Sequence, residues 1–170
     1  MVSPDAQARD TAWFDELFRA HLNDVHRYAV RRVASVDADD ITAETFTTAW
    51  RRRADIVPGT ELPWLYRTCG FLIANHRRRP MPVPTDEFPA LADDIDPETL
   101  VIADEQLKAV LLRLSPRDRQ ILLLNAWEGL QGEQLAAVLG VSRGGADAAL
   151  SRARARLGEA FAAVQDSRSA

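Results

Sequence analysis

The chain has 170 residues, 46% hydrophobic and 27% charged, the balance of a soluble globular protein of one ordinary or two small domains. Its single cysteine, Cys69, excludes an internal disulfide and fits a reducing, cytoplasmic compartment. Met1 to Arg9 lacks a signal-peptide core and no window approaches the ~20 apolar residues of a membrane span, so no membrane insertion is expected.

Net charge is −4, but the sign alternates along the chain. Residues 1–50 carry nine acids and five bases, whereas 51–79 carry seven arginines against Asp55 and Glu61. Residues 80–105 hold eight acids and no Lys or Arg, and 106–170 return to nine bases and six acids. Two positive blocks around a negative one suggest two nucleic-acid-facing surfaces and a different segment between them. Solvated helix faces would produce the same pattern.

From Trp13 to Val33, Phe14, Leu17, Phe18, Leu22, Val25, Tyr28 and Ala29 recur at helical spacing. Asp37 reads as the N-cap of a second helix, with Asp40 at its third position and Ile41, Phe46, Ala49 and Trp50 on its apolar face. Residues 55–62 contain Pro58-Gly59 and read as a loop, after which Pro63 opens a helix from Trp64 to about Arg78. Five of the nine prolines lie in 80–98 among acids; such a segment cannot bury enough apolar area to fold alone. The expected division is a helical domain over 10–79, a flexible linker over 80–98 and a second helical domain over 99–163.

In the second half a helix is expected from about Pro97 to Leu114. Ser115-Pro116-Arg117-Asp118 restarts the chain with a cap, a proline at the first helical position and an acid at the third. That helix buries Ile121, Leu122 and Leu124 and ends near Gly129. A short helix runs from about Gly132 to Leu139, and a last one from about Arg143 to Phe161. Between them Gly140 supplies a left-handed turn, Val141 plugs the core and Ser142 caps the last helix. No segment reads as a strand, so the fold is expected to be all-α.

Gln134 to Leu157 has the pattern of a helix-turn-helix, whose second helix enters the DNA major groove by its N-terminal part. Arg143, Arg152, Arg154 and Arg156 would meet phosphates or base edges. An antiparallel helix pair with an arginine-rich exposed face has the same pattern.

Three stretches in order resemble one family. DADDITAETFTTAWR (Asp37–Arg51) looks like the polymerase-binding helix of the extracytoplasmic-function (ECF) sigma factors. PWLYRTCGFLIANHRRR (Pro63–Arg79) is similar to their −10 promoter helix, and Leu114–Leu157 to their promoter-reading C-terminal domain. The resemblance covers about residues 13–158 and implies a sigma factor that carries core RNA polymerase to promoter DNA. It implies core-polymerase contact by Asp39, Asp40, Glu44, Phe46, Trp50 and Arg51, with carboxylates pairing to arginines of a polymerase coiled coil. Phe46 and Trp50 also read as core packing, which is the better reading for Trp50. Arg67, His76, Arg77, Arg78 and Arg79 would hold the −10 strand by its phosphates. Ser142 and Arg143 would meet the −35 element, with Arg152 and Arg154 as phosphate clamps. An anti-sigma partner follows from the resemblance alone.

The chain departs from the family pattern at several positions. Ala43 stands where a glutamine is usual, Phe71 for an asparagine and Asn75 for an aspartate. Gly144-Gly145-Ala146-Asp147 replaces Gly-Thr-Val-Lys, and Ala149 a common arginine. Two glycines at a helix start cost roughly 1 kcal/mol each relative to alanine. Weak or unusual −35 recognition, or help from another protein, is the expected consequence. A stand-alone helix-turn-helix regulator accounts for Gln134–Leu157 but leaves Asp37–Arg51 unexplained. A degenerate sigma-like interaction module is the third reading. An enzyme is not expected: His21, His26 and His76 lack metal-ligand spacing, and no phosphate-cradling glycine loop or other cofactor motif occurs.

Overall fold

Apolar periodicity and a handful of caps set the element boundaries in the computed structural model, which describes residues 9–77, 100 and 102–169. Among these residues every regular element is helical: α1 (Thr11–Val30), α2 (Ser35–Arg51), α3 (Glu61–Arg77), α4 (Glu105–Leu112), α5 (Pro116–Ala126), α6 (Gly132–Leu139) and α7 (Arg143–Ser169), with a 3-10 turn at Arg53–Asp55. The expected all-α class holds. The chain divides into two compact units, Met1–Leu91 and Ala92–Ala170. The linker expected over 80–98 lies outside the described residues.

In the first unit Asp10 caps α1 by accepting from the Trp13 N–H at 3.1 Å. The three helices pack on one another in every pairing. Val25 and Ala29 of α1, Ile41 and Ala49 of α2, and Leu65, Cys69 and Ile73 of α3 are buried between them. Buried Thr42, Thr45 and Thr68 return their hydroxyls to carbonyls four residues back, on Ala38, Ile41 and Trp64, so none of these three hydroxyls is stranded. Arg32 is 2% exposed. Its guanidinium stacks 3.6 Å over the Tyr28 ring and donates to the Tyr28 carbonyl at 3.0 Å.

Two boundaries in this unit differ from expectation. Asp37 is not the cap of α2; the helix begins at Ser35 after an extended Ala34, and Asp37 sits in its first turn. Its carboxylate instead reaches His76 of α3, with Nε2–Oδ2 at 3.4 Å. Helix α3 begins at Glu61 rather than Trp64, because the Trp64 N–H already finds the Thr60 carbonyl at 3.0 Å.

Of the helix expected in the second unit from Pro97, residues 97–99 and 101 lie outside the described residues and 102–104 are not helical. Helix α4 begins at Glu105, where Asp104 accepts from the Gln106 and Leu107 N–H groups at 2.8 and 3.2 Å. Leu100 and Ile102 precede that cap and pack on Leu123 and Trp127 instead. The Ser115 cap forms as expected, its hydroxyl accepting from the Asp118 N–H at 3.1 Å, with Pro116 at the helix start. Helix α7 runs to Ser169, past the expected end at Phe161, because Ala160 and Val164 extend its buried stripe. Both α4 and α5 pack against it, and so does α6.

Candidate polymerase and nucleic-acid interfaces

Helix α2 presents Asp40, Ala43, Glu44, Thr47 and Arg51 to solvent, a set spaced three and four residues apart and therefore on one face. Asp39 is also exposed and meets His26 of α1, Nε2–Oδ1 2.8 Å apart. Phe46 is on the other side. It is 2% exposed, with its ring centroid 4.9 Å from Phe18 and 6.4 Å from Phe14. In this conformation it shapes the face from beneath and offers no surface to a partner. Trp50 is half-buried, edge-on to Phe14 at 5.4 Å and under the Arg53 guanidinium at 4.2 Å. The polar part of the expected docking set is thus accessible together, while its aromatic part belongs to the core that carries it.

The cations expected at the −10 helix are less uniform. Arg67 is half-buried, and loss of water there lowers its pKa from the ordinary arginine value. Arg77 is half-buried too and donates to the Arg32 carbonyl, tying the end of α3 to the end of α1. His76 is exposed beside Asp37. Arg78 and Arg79 lie outside the described residues. Phe71 and Asn75, where the family pattern has other residues, are both half-buried on α3.

The second unit carries the helix-turn-helix geometry. Gly140 adopts φ 67°, and the N–H groups of Gly140 and Val141 both point at the Ala136 carbonyl, closing α6. Ser142 caps α7 by accepting from the Gly145 N–H at 3.1 Å. The expected core plug at Val141 is not formed: that side chain is 40% exposed, and Val138 and Leu139 fill the core before the turn. Helix α7 turns Ala146, Leu150 and Ala153 inward. An open groove of about 770 Å³ runs between α7 and the start of α6, lined by Gln131, Glu133, Arg143, Asp147, Ser151 and Arg154.

The arginines of α7 differ in how far the fold commits them. Arg143 is exposed, its Nε 3.9 Å from Asp147 Oδ2. Arg152 is exposed. Arg154 donates to Asn125 Oδ1 at 2.9 Å, and Asn125 in turn donates to the Leu130 carbonyl. Arg156 closes on Asp118, 2.8 and 2.9 Å from its two oxygens. Sequence reasoning missed this last pair, since only the tertiary fold joins residues 38 apart. Among the described residues no group of three His, Cys, Asp or Glu could hold a metal, and no helix is long and apolar enough to cross a membrane.

Comparison with known proteins agrees with this arrangement. The family model for sigma-70 region 2 matches residues 17–80, and that for sigma-70 region 4 matches residues 104–157. The chain is 35% identical over 162 residues to the ECF RNA polymerase sigma factor SigE of Mycolicibacterium smegmatis, covering 89% of this chain and 62% of that protein. It is 30% identical over 175 residues to the ECF RNA polymerase sigma factor SigG of Mycobacterium tuberculosis, covering 82% and 47%. The chain therefore spans about half the length of curated relatives that it matches. Its fold is like that of the sigma factor RpoE of Bartonella quintana, solved with the anti-sigma factor NepR, at TM-score 0.57, 24% identity and coverage of 87% and 96%. It is also like CnrH, solved with the cytosolic domain of CnrY, at TM-score 0.62, 22% identity and coverage of 95% and 96%. With regions 2 and 4 matched in order on its two helical units, the chain belongs to the ECF sigma factors of the sigma-70 family.

Proposed function

We propose that the chain is a promoter-specificity factor that acts in the cytoplasm, binding core RNA polymerase through its first unit and promoter DNA through both. The observation that carries this is the exposed face of α2. Asp40, Glu44 and Arg51 stand on one side of a helix whose other side is locked into a three-helix core. A helix with a polar face, held on its other side by a packed core, suits charge-paired docking on another helix. Domain limits of 10–79 and 99–163, with 80–98 as the connection, fit the matches to regions 2 and 4. In the second unit Ser142 fixes the start of α7, and Arg143 and Arg152 face solvent for base-edge and phosphate contact at the −35 element. Arg154 can hold a phosphate only by sharing or leaving Asn125.

An anti-sigma partner is part of the proposal, because the sigma factor RpoE, of like fold, has been solved with an anti-sigma factor. It would cover the face of α2 and so compete with polymerase.

The test is co-purification with core RNA polymerase. The wild-type chain is expected to comigrate, and Asp40→Arg with Glu44→Arg to abolish comigration without loss of helicity, since both side chains are exposed. Equal retention of the double variant would remove α2 from the docking surface.

A further inference from the structure

The role of Asp147 rests on the proposed function of α7 as the helix that enters DNA. Arg143, Asp147 and Ser151 follow one another a turn apart and line the same groove. Asp147 is the member that does not suit a nucleic-acid surface. Its side chain is 56% exposed, and its contact with Arg143 at 3.9 Å is an exposed i,i+4 pair, which contributes little to stability. The fold therefore gives no strong reason for a carboxylate at this position.

DNA chemistry gives one. A carboxylate repels every phosphate alike, so an acid on a DNA-facing helix lowers affinity for all sequences. The group in the major groove best suited to donate to it is the exocyclic amino group of cytosine. Arginine has the complementary preference, for O6 and N7 of guanine. Arg143 and Asp147 stand one helical turn apart with their polar ends side by side, Nε 3.9 Å from Oδ2, so the two can address neighbouring base pairs. The surrounding surface is low enough for a short side chain to reach. Gly144 has nothing within 4 Å of where a Cβ would stand, and its exposed neighbour on that side is Ala148.

We propose that Asp147 is a specificity-determining residue that accepts a hydrogen bond from the amino group of a cytosine, with Arg143 on a guanine of the adjacent base pair. The replacement of the family's usual lysine at this position thus changes which promoter is read and does not simply weaken reading. The carboxylate contributes discrimination at the expense of general affinity.

The experiment is selection from promoters randomised upstream, using holoenzyme reconstituted from core polymerase and the full chain. Wild type, Asp147→Ala and Asp147→Asn are compared. Wild type should enrich cytosine at one position next to a guanine. Asp147→Ala should lose that preference by about tenfold while the other positions keep theirs. It should also bind unrelated DNA more tightly. Asp147→Asn should move the preference from cytosine to adenine, which asparagine reads through N6 and N7. An Asp147→Ala profile unchanged from wild type, with binding merely tighter everywhere, overturns the inference alone. Holoenzyme that forms and initiates but selects no upstream bases overturns the inference and the assignment of α7 together.

Discussion

Asp118 is expected to be a hub of the second unit, and the Asp118–Arg156 pair allows its contribution to be worked out. The Asp118 side chain is 6% exposed and that of Arg156 54%. Besides Arg156, the carboxylate accepts from the Ser115 hydroxyl at 2.9 Å and sits in the first turn of α5. Removing one partner of a fully buried ion pair costs about 3–5 kcal/mol, whereas a surface pair contributes at most about 1 kcal/mol. This pair is intermediate. Asp118→Ala leaves Arg156 free to meet water but loses the acid at the helix N-terminus, which contributes about 0.5 kcal/mol. Arg156→Ala keeps that acid but strands it under the surface. Each single change should cost about 2 kcal/mol, a fall in Tm of about 10 °C for a unit of this size. The double change should cost well under the sum, with a coupling of about 1.5 kcal/mol, because the stranded carboxylate is gone. Urea unfolding of the full chain, with hydrogen exchange of α5 and α7 amides reporting this unit, measures all three. Additivity within about 0.5 kcal/mol would refute the argument, since it would mean the two side chains do not feel each other.

Three further outcomes are expected. Gly140→Ala should destabilise the second unit by about 1 kcal/mol, because φ 67° is costly for any residue with a Cβ; Gly144→Ala, in open helical space, should stabilise it by up to about 1 kcal/mol, and thermal unfolding of both variants checks the contrast. Phe46→Ala should cost the first unit about 3–4 kcal/mol by emptying the cluster with Phe14 and Phe18, whereas Phe46→Leu should retain polymerase binding in a comigration assay. Arg152→Ala should weaken binding of promoter DNA evenly across sequences and reduce the slope of affinity against salt by about one, measured by fluorescence anisotropy between low and moderate salt.

The parts of the fold legible in the sequence are those governed by local rules. Ser115-Pro116 and Gly140-Ser142 mark their helix boundaries because cap and turn chemistry act over three or four residues. Where two local signals compete, the sequence misleads. Asp37 looks like a cap, yet the helix starts two residues earlier and Asp37 serves a contact with His76 on another helix. Asp104 looks like one acid among many, yet it is the cap at which α4 begins. Val141 has the polarity of a core plug, but the tight closure onto the Ala136 carbonyl turns it outward.

The candidate surfaces show the same division. Exposed Asp40, Glu44 and Arg51 follow from helical spacing alone. What becomes of each arginine does not. Arg143, Arg154 and Arg156 look alike in sequence, but the first two line an open groove, Arg154 there bonded to Asn125, and the third is held by a buried carboxylate. Only tertiary neighbours separate a cation available to DNA from one already committed to the fold.

The most direct measurement is transcription reconstituted from core RNA polymerase, DNA of the source organism and the purified full chain, with the 5′ ends of the transcripts mapped. The proposal predicts start sites that appear only when the chain is present, share two upstream sequence elements, and disappear with Asp40→Arg and Glu44→Arg. A chain that binds DNA without polymerase and creates no new start site would contradict it, and would make a stand-alone DNA-binding regulator the better description.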